Sequence, residues 1–295
     1  MPEIFGIPSQ ALFGQLLIGL INGSFYALLS LGLAVIFGLL NIINFTHGAQ
    51  YMLGAFCAYF LLTRWGLGYW WSLAIAPLAV GLFGMLIERT MLKQLYKLDH
   101  LYGLLLTFGL ALIIQGLFRN TFGSSGLPYP IPKELSGGQN LGFMFLPIYR
   151  AWVIVASAAV CFGTWFVIEK TKLGSYLRAA TENPQLVQAF GINVPRMITL
   201  TYGFGVALAA LAGVMAGPIY QISPQMGADL IIVVFAVVVI GGMGSIMGSI
   251  VTGFGLGILE GLTKVFYPEA SNTVIFIVMA VVLLFKPAGL FGTQK

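Results

Sequence analysis

The chain has 295 residues, of which 59% are hydrophobic and only 8% charged, with a formal net charge of +5. Soluble domains carry about a quarter charged residues, so a mean hydropathy of +0.95 excludes a solvated globular domain and places most of the chain in a lipid bilayer. The surplus of Lys and Arg therefore bears on which loops face the cytoplasm, and nucleic acid is excluded as a partner.

Met1-Pro2-Glu3 lacks the basic stretch of a cleaved signal peptide, so the first apolar run is expected to stay in the mature chain. That run, 11–40, would be about 45 Å long as one helix. This is too long for one upright span and too short for two. Asn22-Gly23-Ser24 lies inside it, and a break or kink is expected there. Further spans are expected at 50–64, 69–88, 101–119, 148–169, 196–217, 228–242, 246–265 and 271–289, from the length of apolar helix that a hydrocarbon core requires. The fold class is thus an all-α polytopic membrane bundle of eight to ten spanning or half-spanning helices, a single domain over 1–295. The short run 228–242 is expected to be a half-helix ending at Gly241-Gly242-Met243-Gly244, tolerated where protein or water covers its open backbone. Cys57 and Cys161 fall inside apolar runs and read as small hydrophobes, with no disulfide or metal pattern.

Two series of small residues recur four apart: Gly241, Ser245, Ser249, Gly253, Gly257 and Gly261, and Gly205, Ala209, Gly213 and Gly217. On a helix each forms a smooth strip that lets a second backbone come close, so both read as packing faces. Gly257→Leu is accordingly expected to do more damage than Gly174→Ala. The positive-inside rule orients the chain. Arg89, Lys93, Lys97, Lys170, Lys172, Arg178, Arg196, Lys286 and Lys295 fall on alternate loops of one side, and Arg64, Arg119, Lys133, Arg150 and Lys264 on the other. The cytoplasmic side is therefore expected to hold the loop at about 170–195 and the C-terminus. Segment 120–147, stiffened by Pro128, Pro130 and Pro132, is expected outside, either docking a partner or capping the spans.

The cytoplasmic loop runs from Gly174 through Arg178 and Ala179 to Asn183-Pro184 and on to Gly191. Asn followed by Pro is a helix-start signal, with Asn as cap and Pro at the first helical position, and Gly191 suits a left-handed stop. Two short helices meeting at Asn183 are expected. Polar residues within the spans are few. His47, with Asn44 and Thr46, reads either as a gate or path residue or as a histidine that satisfies backbone at a helix break; polar groups at membrane depth are costly and need one role or the other. Asn22, Ser24, Tyr26 and Gln115 have weaker claims. Glu260 and Lys264 read as an i,i+4 ion pair, with Lys264 reaching for the interface.

The pattern Gly174-x3-Arg178-Ala179-x3-Asn183…Ala189-x-Gly191-Ile192 resembles the ATPase-coupling loop of ABC importer permeases, and more narrowly the branched-chain amino acid (LivH-like) type. Asn41-Ile-Ile-Asn44-Phe45-Thr46-His47-Gly48 resembles that family's Asn-Phe-Ala-His-Gly signature, with Thr46 where Ala is usual. Gly241-Gly242-x-Gly244-Ser245-x2-Gly248 resembles its glycine-rich segment. The resemblance implies a bacterial inner-membrane subunit that works with a second homologous permease, two cytoplasmic ATP-binding subunits and a periplasmic or lipid-anchored solute-binding protein. It implies a small polar solute, such as a branched-chain or related amino acid. The chain has no G-x4-G-K-[S/T] phosphate loop, so no catalytic residue, metal or cofactor is expected in it, and ATP and Mg belong to the partner ATPases. An ion-coupled carrier is the rival reading, disfavoured because ionisable groups near the midplane are almost lacking. A bis-histidine haem protein has only His47 to offer in a span, since His100 lies at a loop, and an intramembrane protease motif is missing.

Overall fold

The computed structural model describes residues 3–4, 7–40, 43–96, 98–142 and 144–292. Met1, Pro2, Asn41, Lys97 and Lys295 of the sequence reading lie outside the described residues. Among the described residues, nine helices of at least 12 residues fall on the nine expected spans: α1 (Ser9–Leu40), α2 (Thr46–Trp65), α3 (Tyr69–Thr90), α4 (His100–Phe122), α5 (Ile148–Lys170), α8 (Val194–Ala216), α9 (Met226–Gly241), α10 (Ile246–Phe266) and α11 (Val274–Phe285). Two short helices, α6 (Lys172–Glu182) and α7 (Pro184–Ala189), join α5 to α8. By length and composition α1, α3, α4, α5, α8 and α10 suffice to cross a membrane. The 20-residue α2 carries more polar side chains, while α9 and α11 are shorter apolar helices. At 16 residues, α9 is about 24 Å long, and it stops at Gly241 because Gly242 turns the backbone with φ of 102°.

One expectation fails at α1. Its 32 residues run without interruption through Asn22-Gly23-Ser24. Ser24 Oγ donates back to Leu20 O at 2.9 Å, within the helix. Asn22 spends its side chain on Glu260 and Tyr220 instead of on neighbouring backbone. Gly23 is there for packing. A Cβ on Gly257 of α10 would stand 2.3 Å from Gly23 Cα, so the two backbones touch. Gly253 meets Ala27 and Gly261 meets Gln15 and Gly19 along the same seam, while Ser30 Oγ donates to Ser249 O at 3.2 Å. The four-residue strip is therefore a real helix face from Ser249 to Gly261. It does not include Gly241 and Ser245: Gly241 ends α9 against Gly248, and Ser245 caps α10 by accepting from Gly248 N at 3.1 Å. On α8, Gly205 lies against Gly32 of α1 and Gly213 against Tyr51 of α2.

The contacts sort the loops by end. At one end Gly38 meets Gly244, Gly242 meets Gly289 and Gly292, Glu88 meets Thr199, and Gly174 meets Ile168. The loops at 88–100, 169–196 and 286–292 thus share that end. At the other, Tyr149 OH donates to Met215 O at 2.8 Å, Leu127 pairs with Ile222, and Tyr220 OH donates to Asn22 Oδ1. Segment 120–147, with a hairpin of Gly138–Asn140 and Phe145–Pro147, lies there and is pinned over the helix ends. Large apolar side chains such as Leu82, Leu105, Phe166 and Leu284 stand exposed on the bundle's outside, as a lipid-facing surface requires.

Candidate functional site

The short helices form a knob built on caps and one tight corner. Gly174, Leu177 and Ala180 line the buried face of α6, and Leu177 and Ala180 pack with Val187, Val194 and Met197 from α7 and α8. Asn183 ends α6, its N–H donating to Ala179 O, and starts α7, its side chain accepting from Leu186 N at 2.9 Å with Pro184 first in the helix. Gly191 follows with φ of 83°. Asn193, which the sequence reading passed over, caps α8 in the same way, accepting from Arg196 N at 3.0 Å. The Asn-x-Pro spacing at Asn193 to Pro195 was the signal for it. The knob's outer surface is apolar as well as polar: Phe190 is 78% exposed and Leu186 54%.

Only Thr171 separates α5 from α6. A Cβ on Gly174 would lie 1.5 Å from Ile168 O, so the corner closes only on glycine. Gly174→Ala is therefore expected to be severe in its own right, a cost that the sequence alone did not show. The reason is that the close approach is between α6 and the end of its own predecessor, which no periodicity reveals. Arg178 braces the same corner, its guanidinium donating to Glu169 at 3.2 Å and to Ile168 O at 3.5 Å. It joins α6 to α5, not α6 to α7, and both charged groups are about half exposed.

Asn44, Thr46 and His47 sit together, each with no exposed surface, where α2 begins. No side chain caps α2 at Phe45, and backbone freed there is satisfied from α4. Thr107 Oγ1 bridges Phe45 N and Ile43 O, and Thr46 Oγ1 donates to Thr107 O at 2.8 Å. His47 Nε2 donates to Leu29 O at 3.0 Å, a carbonyl that can only accept. Asn44 Nδ2 donates to Gln50 Oε1, and Gln50 Nε2 to Tyr202 OH. The groove of about 260 Å³ between α2, α4 and α9 is lined by Phe45, Gly48 and Met52, not by these three polar residues. Within this chain the contacts that these three make fasten the start of α2 to α4 and α1. Asn44 Oδ1 and His47 Nδ1 are buried without a protein hydrogen-bond partner.

Two buried carboxylates escaped or were undervalued in the sequence reading. Glu260, 4% exposed, accepts from Tyr26 OH at 2.7 Å, from Asn22 Nδ2 at 3.3 Å and from Lys264. What looked like an isolated ion pair is the hub of a polar cluster that also gathers the weak candidates Asn22 and Tyr26. Glu88, 1% exposed at the end of α3, accepts from Tyr96 OH and from Thr199 Oγ1 of α8 at 2.6 Å. Gln115 donates to Gln225 where the segment before α9 dips beside α4.

Residues 15–283 match the family described as branched-chain amino acid transport system, permease component. The chain is 31% identical to the high-affinity branched-chain amino acid transport system permease protein BraD of Pseudomonas aeruginosa, covering 100% of this chain and 99% of the relative. It is 30% identical to the corresponding protein LivH of Escherichia coli strain K12, over 95% and 96% of the two chains. It is 28% identical to LivM of the same organism, over 92% of this chain and 68% of the relative. No solved structure matches.

Proposed function

The chain belongs to the family of permease components of branched-chain amino acid transport systems, and on that premise we propose that it is one of two membrane subunits of an ATP-driven importer of branched-chain or closely related amino acids in a bacterial inner membrane. The observation that carries the coupling role is the α6–α7 knob, braced to α5 by Gly174 and Arg178 and presenting Phe190 and Leu186 outward. Two cytoplasmic ATP-binding subunits grip the knobs, and a solute-binding protein delivers the amino acid at the opposite end. ATP and Mg stay with the ATPases, because this sequence holds no phosphate loop. The likeness to both LivH and LivM supports a related but distinct second permease as the other half of the path. The end holding the knob is assigned to the cytoplasm by its excess of Lys and Arg, which puts the described C-terminal residues there and the start of α1 outside.

The test is reconstitution in proteoliposomes with both ATP-binding subunits, the second permease and the binding protein. ATP-dependent leucine uptake is expected in wild type. Arg178→Ala loses the brace and Asn183→Ala a cap worth about 1 kcal/mol, so both should lower uptake and substrate-stimulated ATP hydrolysis together at normal membrane levels. Uptake that persists without ATP and collapses with an ionophore would show an ion-coupled carrier instead.

A further inference from the structure

Between α3 and α8, at the end that carries the knob, lies an open groove of about 830 Å³. Arg89, Lys93 and Arg196 surround it, all exposed. None of the three takes part in an ion pair among the described residues, and no carboxylate lines the groove. Glu88, next in sequence to Arg89, is turned inward, its oxygens occupied by Tyr96 and Thr199. Three cations thus line one concavity, with no ion-pair partner among the described residues.

The wall on the membrane side is apolar. Leu82 and Leu86 line it, 63% and 58% exposed, and Leu78, 67% exposed, continues their row beyond the groove at the same four-residue spacing on α3. The row runs for about 12 Å and ends at Arg89 and Lys93. Leu200, 50% exposed, faces the groove from α8 one turn after Arg196. A molecule filling this site therefore has an anionic head at the helix ends and an aliphatic body along the leucine row. A soluble acidic protein surface matches the cations but leaves the leucines uncovered.

We propose that this groove is a binding site for an anionic phospholipid, its phosphate held by Arg89, Lys93 and Arg196 and one acyl chain laid along Leu86, Leu82 and Leu78. Basic pockets between helices at the membrane surface hold acidic headgroups through these forces, and the guanidinium fork suits phosphate oxygens. Simple snorkelling of the three side chains to water needs no concavity and shows no preference for one lipid over another. The proposal depends only on the bundle's spanning a bilayer, so it stands or falls separately from the transport reading.

The test is native mass spectrometry of the full-length chain, alone and in the assembled transporter, titrated with phosphatidylglycerol or phosphatidylcholine. Wild type is expected to retain one phosphatidylglycerol with a preference over phosphatidylcholine of about tenfold or more. The triple variant R89Q/K93Q/R196Q should lose that preference, while R89K/R196K, which keeps the charge, should retain most of it. Leu82→Ser should weaken retention of phosphatidylglycerol and phosphatidylcholine alike. Equal retention of the two lipids by wild type would overturn the proposal, as would an unchanged preference in the triple variant. Retention by the lone chain that vanishes in the assembled transporter would also overturn it, since the groove would then seat another subunit.

Discussion

Replacing Gly257 by alanine, the smallest possible side chain, is expected to destabilise the bundle markedly. The new methyl carbon would stand 2.3 Å from Gly23 Cα and 2.4 Å from both Gly19 O and Gly23 N. Carbon atoms in contact rest at about 3.5–4.0 Å, so α1 and α10 must part by roughly 1.5 Å at that level. Every neighbour along the seam is then pulled off its optimum, and a gap of even 0.5–1 Å forfeits about a quarter to a half of each dispersion contact. Overpacking a close-fitted core costs about 1–3 kcal/mol, and backbone that cannot rotate away puts this case near the top of the range. For a chain of this size, at about 1.6 °C per kcal/mol, that amounts to a fall of about 3–5 °C in the unfolding midpoint. The control lies two residues away, because a Cβ on Gly255 meets nothing within 4 Å. Gly255→Ala makes the same chemical change in the same helix and should leave the midpoint unchanged or slightly raised. Thermal unfolding of the detergent-solubilised protein, followed by monodispersity on size-exclusion chromatography, reads both variants. Equal midpoints for Gly257→Ala and Gly255→Ala would refute the seam.

Single cysteines placed at Glu182 and at Lys133, in a background lacking Cys57 and Cys161, are expected to divide by side. An impermeant thiol reagent applied to intact spheroplasts should label position 133 and spare 182, and the reverse pattern would invert the orientation. Glu260→Gln is expected to lower stability by about 2 kcal/mol, since it leaves Lys264, with 30% of its side chain exposed, only partly able to reach water. Tyr26→Phe removes a hydrogen bond to the same carboxylate, so the double variant should cost less than the sum of the two. Strict additivity in thermal unfolding would show that Glu260 is no hub.

Helix positions were legible because a bilayer imposes one length on apolar runs, and all nine expected spans fall on helices. The cap at Asn183-Pro184 was legible because its chemistry is local. What escaped was whatever depends on a partner far along the chain. Gly19 and Gly23 carry the same four-residue spacing as Gly253, Gly257 and Gly261. Yet the polar neighbours of Gly23 suggested a break, because Asn22 finds its partner 238 residues later, at Glu260. Conversely, the series through Gly241 and Ser245 continued a numerical period across a turn that only the backbone reveals. Glu88 resembled an ordinary polar flank at a helix end, and its burial follows from Tyr96 and Thr199 closing over it.

The same long-range contacts decide how a push on the knob spreads. Phe190 and Leu186 sit at its exposed tip, and the links behind them are short: Thr171 alone before α6, Asn183 alone before α7 and residues 190–193 before α8, the last two ending in asparagine caps. The apolar cluster of Leu177, Val187, Val194 and Met197 joins the knob to the start of α8. Gly174 and Arg178 join it to the end of α5. Slack in such a connection would have to come from loop residues, and few are present to supply it. Glu88 then ties α3 to α8 through Thr199 at the same depth, so a displacement entering at α7 reaches three spanning helices near their common end. The seam between α1 and α10 meets this linkage through α8, where Gly205 lies against Gly32 of α1. Its backbones touch without intervening side chains, which fixes their register by shape and by the bond from Ser30 to Ser249. A packed interface of that kind resists continuous deformation. A displacement of α3, α5 and α8 therefore bears on a close-packed pair, and movement of one group against the other is what an alternating path requires.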